Sequence, residues 1–175
     1  MKKPAIYTIG HSTHPLQAFI EMLQSHHIEM LIDVRSIPRS RTNPQFNKDC
    51  FPDSLAQVNI SYQHIAGLGG LRSRKQSAAS PNTFWENLSF RNYADYAMTE
   101  GFRNGLAELK AIAAEKRSAI MCAEAVWWRC HRRIIADYLI ADGYPVFHIM
   151  GVNSAEAAEM TDAAHKQRGH VLVYA

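Results

Sequence analysis

Apolar and polar positions along this chain alternate between two periods. Ala5-Ile6-Tyr7-Thr8-Ile9 is a short β-rich run closed by Gly10. Leu16, Phe19, Ile20 and Leu23 then recur at helical spacing, behind Ser12-Thr13-His14-Pro15, which reads as a helix start with a capping hydroxyl and a first-turn proline. Met30-Leu31-Ile32-Asp33-Val34 is apolar on both sides until its C-terminal end. Such a strand is buried on both faces, as in parallel sheets covered by helices.

Residues 35–59 form a long polar connection with one short helix predicted over Phe51 to Val58, and Ile60 to Ile65 is a third strand. A second long loop runs from Gly67 to Asn82; loops of this length tend to carry function. Helical spacing returns from Asn92 to Ala114, with a break near Gly101. Ser118 to Cys122 and Pro145 to Ile149 are strands four and five, around a helix from about Cys130 to Ala141. The Ala/Glu-rich stretch Ser154 to Gln167 predicts a further helix, and Val171 to Tyr174 an edge strand. Alternating strands and helices predict one α/β domain spanning residues 1–175: an open, mostly parallel sheet in three layers, with helices on both faces.

In such a sheet the ligand crevice lies outside the C-terminal ends of the strands. Here those ends carry His11 and Ser12, then Asp33, Arg35 and Ser40, then His64 with Gly69, Gly70 and Arg72, then Cys122 and Glu124, and finally His148. Each has a structural alternative. Gly10-His11-Ser12 also reads as a tight turn, Asp33 as a strand-end carboxylate with Arg35 as its ion-pair partner, and Cys122 as a small buried hydrophobe. Together on one rim, they point to a site.

The segment 122–133 holds the sharpest chemistry. A thiol at a helix N-terminus beside Arg129, His131 and Arg132 sits in a positive field that lowers its pKa, and Cys130 matches that description. Cys122 faces the same pocket if its strand ends there. Cys122 or Cys130 is the candidate nucleophile, with His11, His64 and Glu124 as acid or base candidates. Arg35, Arg72 and Arg132, with His131, are the anion-holding candidates. Trp127, Trp128, Tyr62 and Phe46 offer stacking surfaces. No cofactor fingerprint is present, because Gly67-Leu68-Gly69-Gly70 lacks the Walker or dinucleotide spacing. Cys122 and Cys130 are too far apart for a Cys-x-x-Cys redox motif, and no zinc-finger spacing occurs.

Net charge changes the picture only when resolved along the chain. The total is +3, from 19 Lys+Arg against 16 Asp+Glu. Between Arg35 and Trp85 there are seven basic residues and two acids, while the remainder is slightly acidic. The basic residues, including Arg74 and Lys75, lie on the two long loops beside the expected crevice. This favours a small anionic ligand, with nucleic acid as a second class of partner. The three cysteines do not form a secreted framework, the first strand is too short for a signal-peptide core, and no apolar run spans a membrane, so a cytoplasmic protein is expected.

Tyr7-Thr8-Ile9-Gly10-His11-Ser12, Asp33-Val34-Arg35-x-x-Pro38-x-Ser40, Leu68-Gly69-Gly70, Cys122-Ala123-Glu124 and Cys130-His131-Arg132 resemble the signature of a bacterial and archaeal family catalogued as domain of unknown function 488. The resemblance covers about residues 7–149, leaves 153–175 as an extension, and implies a Rossmann-like domain. It implies no reaction. The reading that follows is an enzyme for a small anionic, phosphorylated or nucleotide-like substrate. The alternatives are a nucleic-acid-binding or processing module using loops 35–85, and a metal-binding regulator. Neither a cofactor nor an oligomeric state follows from the sequence.

Overall fold

The computed structural model describes residues 2–73 and 79–175. Arg74 and Lys75, counted above in the basic stretch, lie outside the described residues. Five strands, β1 (Ile6–Gly10), β2 (Met30–Asp33), β3 (Ser61–His64), β4 (Ser118–Cys122) and β5 (Val146–Gly151), run parallel. β6 (Ser154–Ala157) adds antiparallel to β5, giving the order β3-β2-β4-β1-β5-β6.

Strand alternation divides the core in two. Ile6, Ile32 and Ile120 face one side, beneath α3 (Leu88–Tyr96), α4 (Glu100–Glu115) and α5 (Arg132–Ala141). Tyr7, Ile9, Leu31 and Met121 face the other, beneath α1 (Leu16–Ser25) and α2 (Phe51–Ala56). This is the three-layer Rossmann-like α/β arrangement expected from the sequence. β1 feeds α1 on one face, whereas its neighbour β4 feeds α5 on the other. Their C-terminal ends therefore flank a topological switch point. The gap between them is filled by the Glu124 carbonyl against Gly10, so the cavity opens one strand over, between the ends of β2 and β4.

Several local expectations are corrected. The Ala/Glu-rich tail is not a helix: Ser154–Ala157 is β6, and Ala164–Gln167 is β7. Helix propensity in this stretch loses to the ladder that the free edge of β5 offers, and Val152-Asn153 form the two-residue connection, with Asn153 at φ 55. Val171–Tyr174 is a strand, β8, but it pairs with β7 in a separate hairpin rather than edging the main sheet. Leu172 and Tyr174 from that hairpin are buried in the α5 side of the core.

The break between α3 and α4 falls at residues 97–99, before Gly101, and α3 starts earlier than expected because the Asn87 side chain accepts from the Ser89 and Phe90 N–H groups. α1 begins after Pro15 with no hydroxyl cap. α5 begins at Arg132, two residues beyond Cys130, because Trp127–Arg129 first makes a 3-10 turn. Among the described residues no helix is long and apolar enough to cross a membrane.

Candidate active site

A cavity of about 510 Å³ opens at the C-terminal edge of the sheet, between the loops after β2 and β4 and the start of α3. Cys122, Cys130 and His131 line it, with Tyr93 and Phe90 from α3 and with Arg35, Arg39 and Arg129. Cys122 and Cys130 are both buried free thiols, and their sulfur atoms stand 2.6 Å apart. β4 places Cys122 on the α5 face. The 3-10 turn then brings the chain back so that Cys130, eight residues on, meets it.

Arg132 organises this pair. The guanidinium is 1 % exposed, and it donates from Nε to Cys122 Sγ at 2.9 Å, from one terminal nitrogen to Thr8 Oγ1 at 3.0 Å and from the other to the Glu124 carbonyl at 2.9 Å. Its backbone N–H, at the first position of α5, points at Cys130 Sγ at 3.4 Å. Gly10 is required here, because a Cβ at this position would collide with the Glu124 carbonyl that receives Arg132. Among the described residues Arg132 has no carboxylate within salt-bridge distance. A buried cation needs a counter-charge, and the nearest atoms able to carry one are the two sulfurs.

The pair therefore titrates as a unit. Burial opposes ionisation of Cys130, but the hydrogen bond with Cys122 and the charge of Arg132 outweigh it and bring the thiol down to about 7. Burial and the adjacent Cys130 push Cys122 well up. One proton leaves near neutrality and the other is held.

His131 sits against Cys130, its Nδ1 3.4 Å from Sγ. Its Nε2–H donates to the Val34 carbonyl at 2.8 Å, which fixes the tautomer and leaves Nδ1 bare toward the thiol. Burial lowers its pKa, so the ring is neutral and able to take the Cys130 proton. A Cβ on Gly70 would stand 2.6 Å from His131 Nδ1, so the bare glycine lets the loop close over the ring. Tyr93 packs on the other side, with ring centroids 5.0 Å apart, and is tied to the Leu68 carbonyl at 2.8 Å.

Beneath the pair lies a relay of neutral groups. Thr8 accepts from Arg132 and donates to His148 Nδ1 at 2.6 Å. Burial, then the charge of Arg132, drives His148 down to about 3, and Trp127 stacks on it at 4.5 Å.

The remaining predicted residues lie elsewhere. Asp33 and Arg35 form a buried bidentate pair at 2.9 and 2.7 Å on the α2 face, reinforced by the Tyr62 hydroxyl on Asp33 and by the Phe46 carbonyl, which Arg35 reaches at 2.7 Å. Arg35 is thus largely committed before any ligand arrives, although it reaches the cavity wall. His11 is buried, stacks on Phe46 at 4.5 Å and donates from Nδ1 to the Ser12 carbonyl at 2.8 Å. His64 donates to the Arg35 carbonyl at 2.6 Å. Neither histidine lines the cavity. Ser12 takes φ 48, its N–H on the Ala123 carbonyl, and Ser40 accepts the Asn43 N–H within its loop.

Arg72 turns away from the cavity. Its guanidinium lies 3.7 Å over the Tyr96 ring and donates to the Gly69 and Ala66 carbonyls. A Cβ on Gly69 would strike Ser36. The side chain of Glu124 is exposed at the rim while its carbonyl serves Arg132. Tyr62 and Phe46 pack in the α1–α2 core and offer no stacking surface to the cavity. Among the described residues no three His, Cys, Asp or Glu side chains converge as metal ligands.

From the sequence His131 is expected to hold an anion; in the fold it stands as a base beside Cys130. Its adjacency to Cys130 was the available signal, whereas the Val34 carbonyl that sets its tautomer comes from a distant strand. Thr8 appears in the sequence only as part of the Tyr7–Ser12 signature, without a role, and Tyr93 carries no signal there. No curated protein and no solved structure matches the chain. Residues 15–139 match one family model, which stops short of β1 and β5 although both belong to the same sheet. The chain belongs to that family, described as a domain of unknown function, DUF488.

Proposed function

We propose that this protein is a cysteine-dependent enzyme acting on a small anionic substrate held in the crevice at the C-terminal ends of the strands. The observation that carries the reading is the Cys130 thiol beside an oriented, neutral His131 and a buried Arg132, at the base of a cavity whose wall includes Arg35, Arg39 and Arg129. Cys130 is the nucleophile, His131 the base, and Arg132 the fixed cation that keeps the sulfur anionic. Arg39 is 70 % exposed at the rim, and Arg129 is exposed beside it. Arg35 is tied to Asp33 at 2.7 Å, whereas Arg39 meets only the exposed Asp49 across a loose 3.7 Å pair, so Arg129 and Arg39 are the cations placed to draw in an anion. Ile37 and Phe90 give the same cavity an apolar wall for the body of the substrate.

The test is carboxymethylation by iodoacetate against carbamidomethylation by neutral iodoacetamide, in a Cys50→Ser background that removes the exposed third thiol. Relative to a free thiol, for which neutral iodoacetamide is the faster reagent, Cys130 is expected to show a rate ratio shifted toward iodoacetate, and Arg39→Glu with Arg129→Glu should shift it back. A Cys130 inert to both reagents would eliminate the nucleophile. A rate ratio equal to that of the free thiol would eliminate the anion preference.

A further inference from the structure

The proposed function needs one thiolate, yet the cavity floor holds two sulfurs in contact. Cys130 is 6 % exposed and Cys122 2 %, so Cys130 is the outer and Cys122 the inner member of the pair, and both line the cavity. The exposed Cys50 lies on α2's entry, among the Pro44, Gln45 and Asn47 carbonyls, and takes no part. We propose that Cys130 and Cys122 act as attacking and resolving thiols in the two-electron reduction of a small anionic disulfide. This rests on the reading of Cys130 as a nucleophile, and it deepens that reading by naming the substrate class and the reaction.

One turnover balances with no further reactant, and each later one needs an external thiol to reduce the Cys122–Cys130 bond. Cys130 Sγ⁻ attacks one sulfur of R–S–S–R, the substrate S–S bond breaks, and R–S⁻ departs and is protonated by solvent. The enzyme is left as the mixed disulfide Cys130–S–S–R. Cys122 then loses its proton to solvent through the cavity that it lines, and attacks Cys130 Sγ. The Cys122–Cys130 bond forms and the second R–S⁻ leaves. The two protein thiols are oxidised by two electrons, and the substrate disulfide is reduced to two thiols.

Three observations favour this over single-thiol chemistry. The sulfurs already lie 2.6 Å apart, so the second attack needs little movement. Arg132 contacts both, with its Nε on Cys122 and its backbone N–H on Cys130, so one cation serves both steps. Moreover, Cys122 is held protonated by burial and by its ionised neighbour. The second of those causes disappears once Cys130 is consumed, and the charge of Arg132 is then left to oppose burial alone, so Cys122 ionises more readily after the first step than before it. A thiol ionising near ambient pH is also the most effective attacker in thiol–disulfide exchange. The arginines at the rim select an anionic R group.

The experiment uses the reduced full chain in the Cys50→Ser background, with oxidised glutathione as the anionic disulfide and cystamine as a cationic one. The expected result is release of two glutathione thiols per chain and a Cys122–Cys130 disulfide in the peptide map. The rate with oxidised glutathione should exceed that with cystamine by about tenfold or more, and Arg39→Glu with Arg129→Glu should abolish the excess. Cys122→Ser should stop after one thiol, with Cys130 glutathionylated; if that variant misfolds, the stoichiometry of the Cys122-containing chain decides alone. A lasting mixed disulfide on Cys130 in that chain overturns the resolving role. Cystamine reacting as fast overturns the anionic class. No exchange, with Cys130 still alkylated by iodoacetate, overturns this inference and leaves the nucleophile standing. No reaction with either reagent removes both.

Discussion

Arg132 Nε donates to Cys122 Sγ at 2.9 Å, and this guanidinium is buried with sulfur, hydroxyl and carbonyl partners rather than a carboxylate. The relationship makes Arg132 both a structural and an electrostatic element. Arg132→Met should cost about 3 kcal/mol or more, because it strips donors from Thr8 and the Glu124 carbonyl as well as removing the charge. It should also raise the pH at which Cys130 ionises. Urea unfolding and the pH profile of iodoacetamide alkylation measure the two effects separately.

The same coupling gives a pH dependence of stability with a definite sign. Cys130 ionises in the fold near 7, below its ordinary 9. Its contribution is therefore fully present above the unfolded value and is lost as pH falls from about 9 toward 7. Cys122 is raised, so its contribution is present below the unfolded value and is lost at more alkaline pH. Unfolding free energy should rise from pH 7 to 9, by on the order of 2 kcal/mol from this pair, and fall beyond. Cys130→Ala should flatten the rising limb.

Gly70→Ala tests the placement of His131 without touching its chemistry. The new methyl group would meet the imidazole at Nδ1, so the ring must shift and lose its approach to Cys130. Alkylation of Cys130 well below pH 7, where the thiol is still protonated and needs a base, should slow by roughly a hundredfold, the lower end of the scale for a lost general base. Thermal stability should change much less, because the loop at Gly70 is only partly buried. An unchanged alkylation rate would remove His131 from the role of base.

How much of this could be read in the sequence depends on the range of the interaction involved. β1, β2 and β4 were legible because burial on both faces leaves a continuous apolar run, but which of them lie side by side, and so where the switch point falls, depends on long-range pairing. β6 and β7 were not, since Ser154–Ala157 is exposed along its length and owes its conformation to pairing with β5, not to its own side chains. In the site, Cys130, His131 and Arg132 are neighbours in sequence, so their shared chemistry showed locally. The commitment of Arg35 to Asp33 appeared as an alternative for the same reason. The turning of Arg72 onto Tyr96, and the orientation of His131 by Val34, depend on residues more than twenty positions away, and no local pattern encodes them.

The pair at Asp33 and Arg35 is expected to behave as scaffold. The two side chains are 0 % and 6 % exposed, and Asp33 also receives the Tyr62 hydroxyl. Asp33→Ala should destabilise the fold by about 3–5 kcal/mol, since it strands a buried guanidinium. Asp33→Asn with Arg35→Met should cost less than Asp33→Ala, because the double change removes the stranded charge. Chemical denaturation of the two variants decides this, and a double variant as unstable as Asp33→Ala would place the cost in packing instead.

The C-terminal hairpin is fastened to α5 at two points, by the Tyr138 hydroxyl, which accepts the Leu172 N–H at 3.0 Å, and by the buried Asp137 carboxyl. Tyr174 donates from its hydroxyl to Asp137 Oδ2 at 2.9 Å, and the Thr161 N–H donates to Oδ1 at 2.9 Å. Burial raises the pKa of Asp137, with these hydrogen bonds pulling it back. Tyr174→Phe should therefore cost about 1–3 kcal/mol at neutral pH, by leaving the buried carboxyl short of a donor. It should also raise the Asp137 pKa further. A group raised in the fold contributes stability that is present below its unfolded value and is lost as pH rises through the folded one. The gap between the native protein and Tyr174→Phe should then be smallest near pH 3, where the carboxyl is protonated in both, and widen toward pH 7. Urea midpoints across that range measure it, and a gap independent of pH would mean that the hydroxyl acts through packing, not through Asp137.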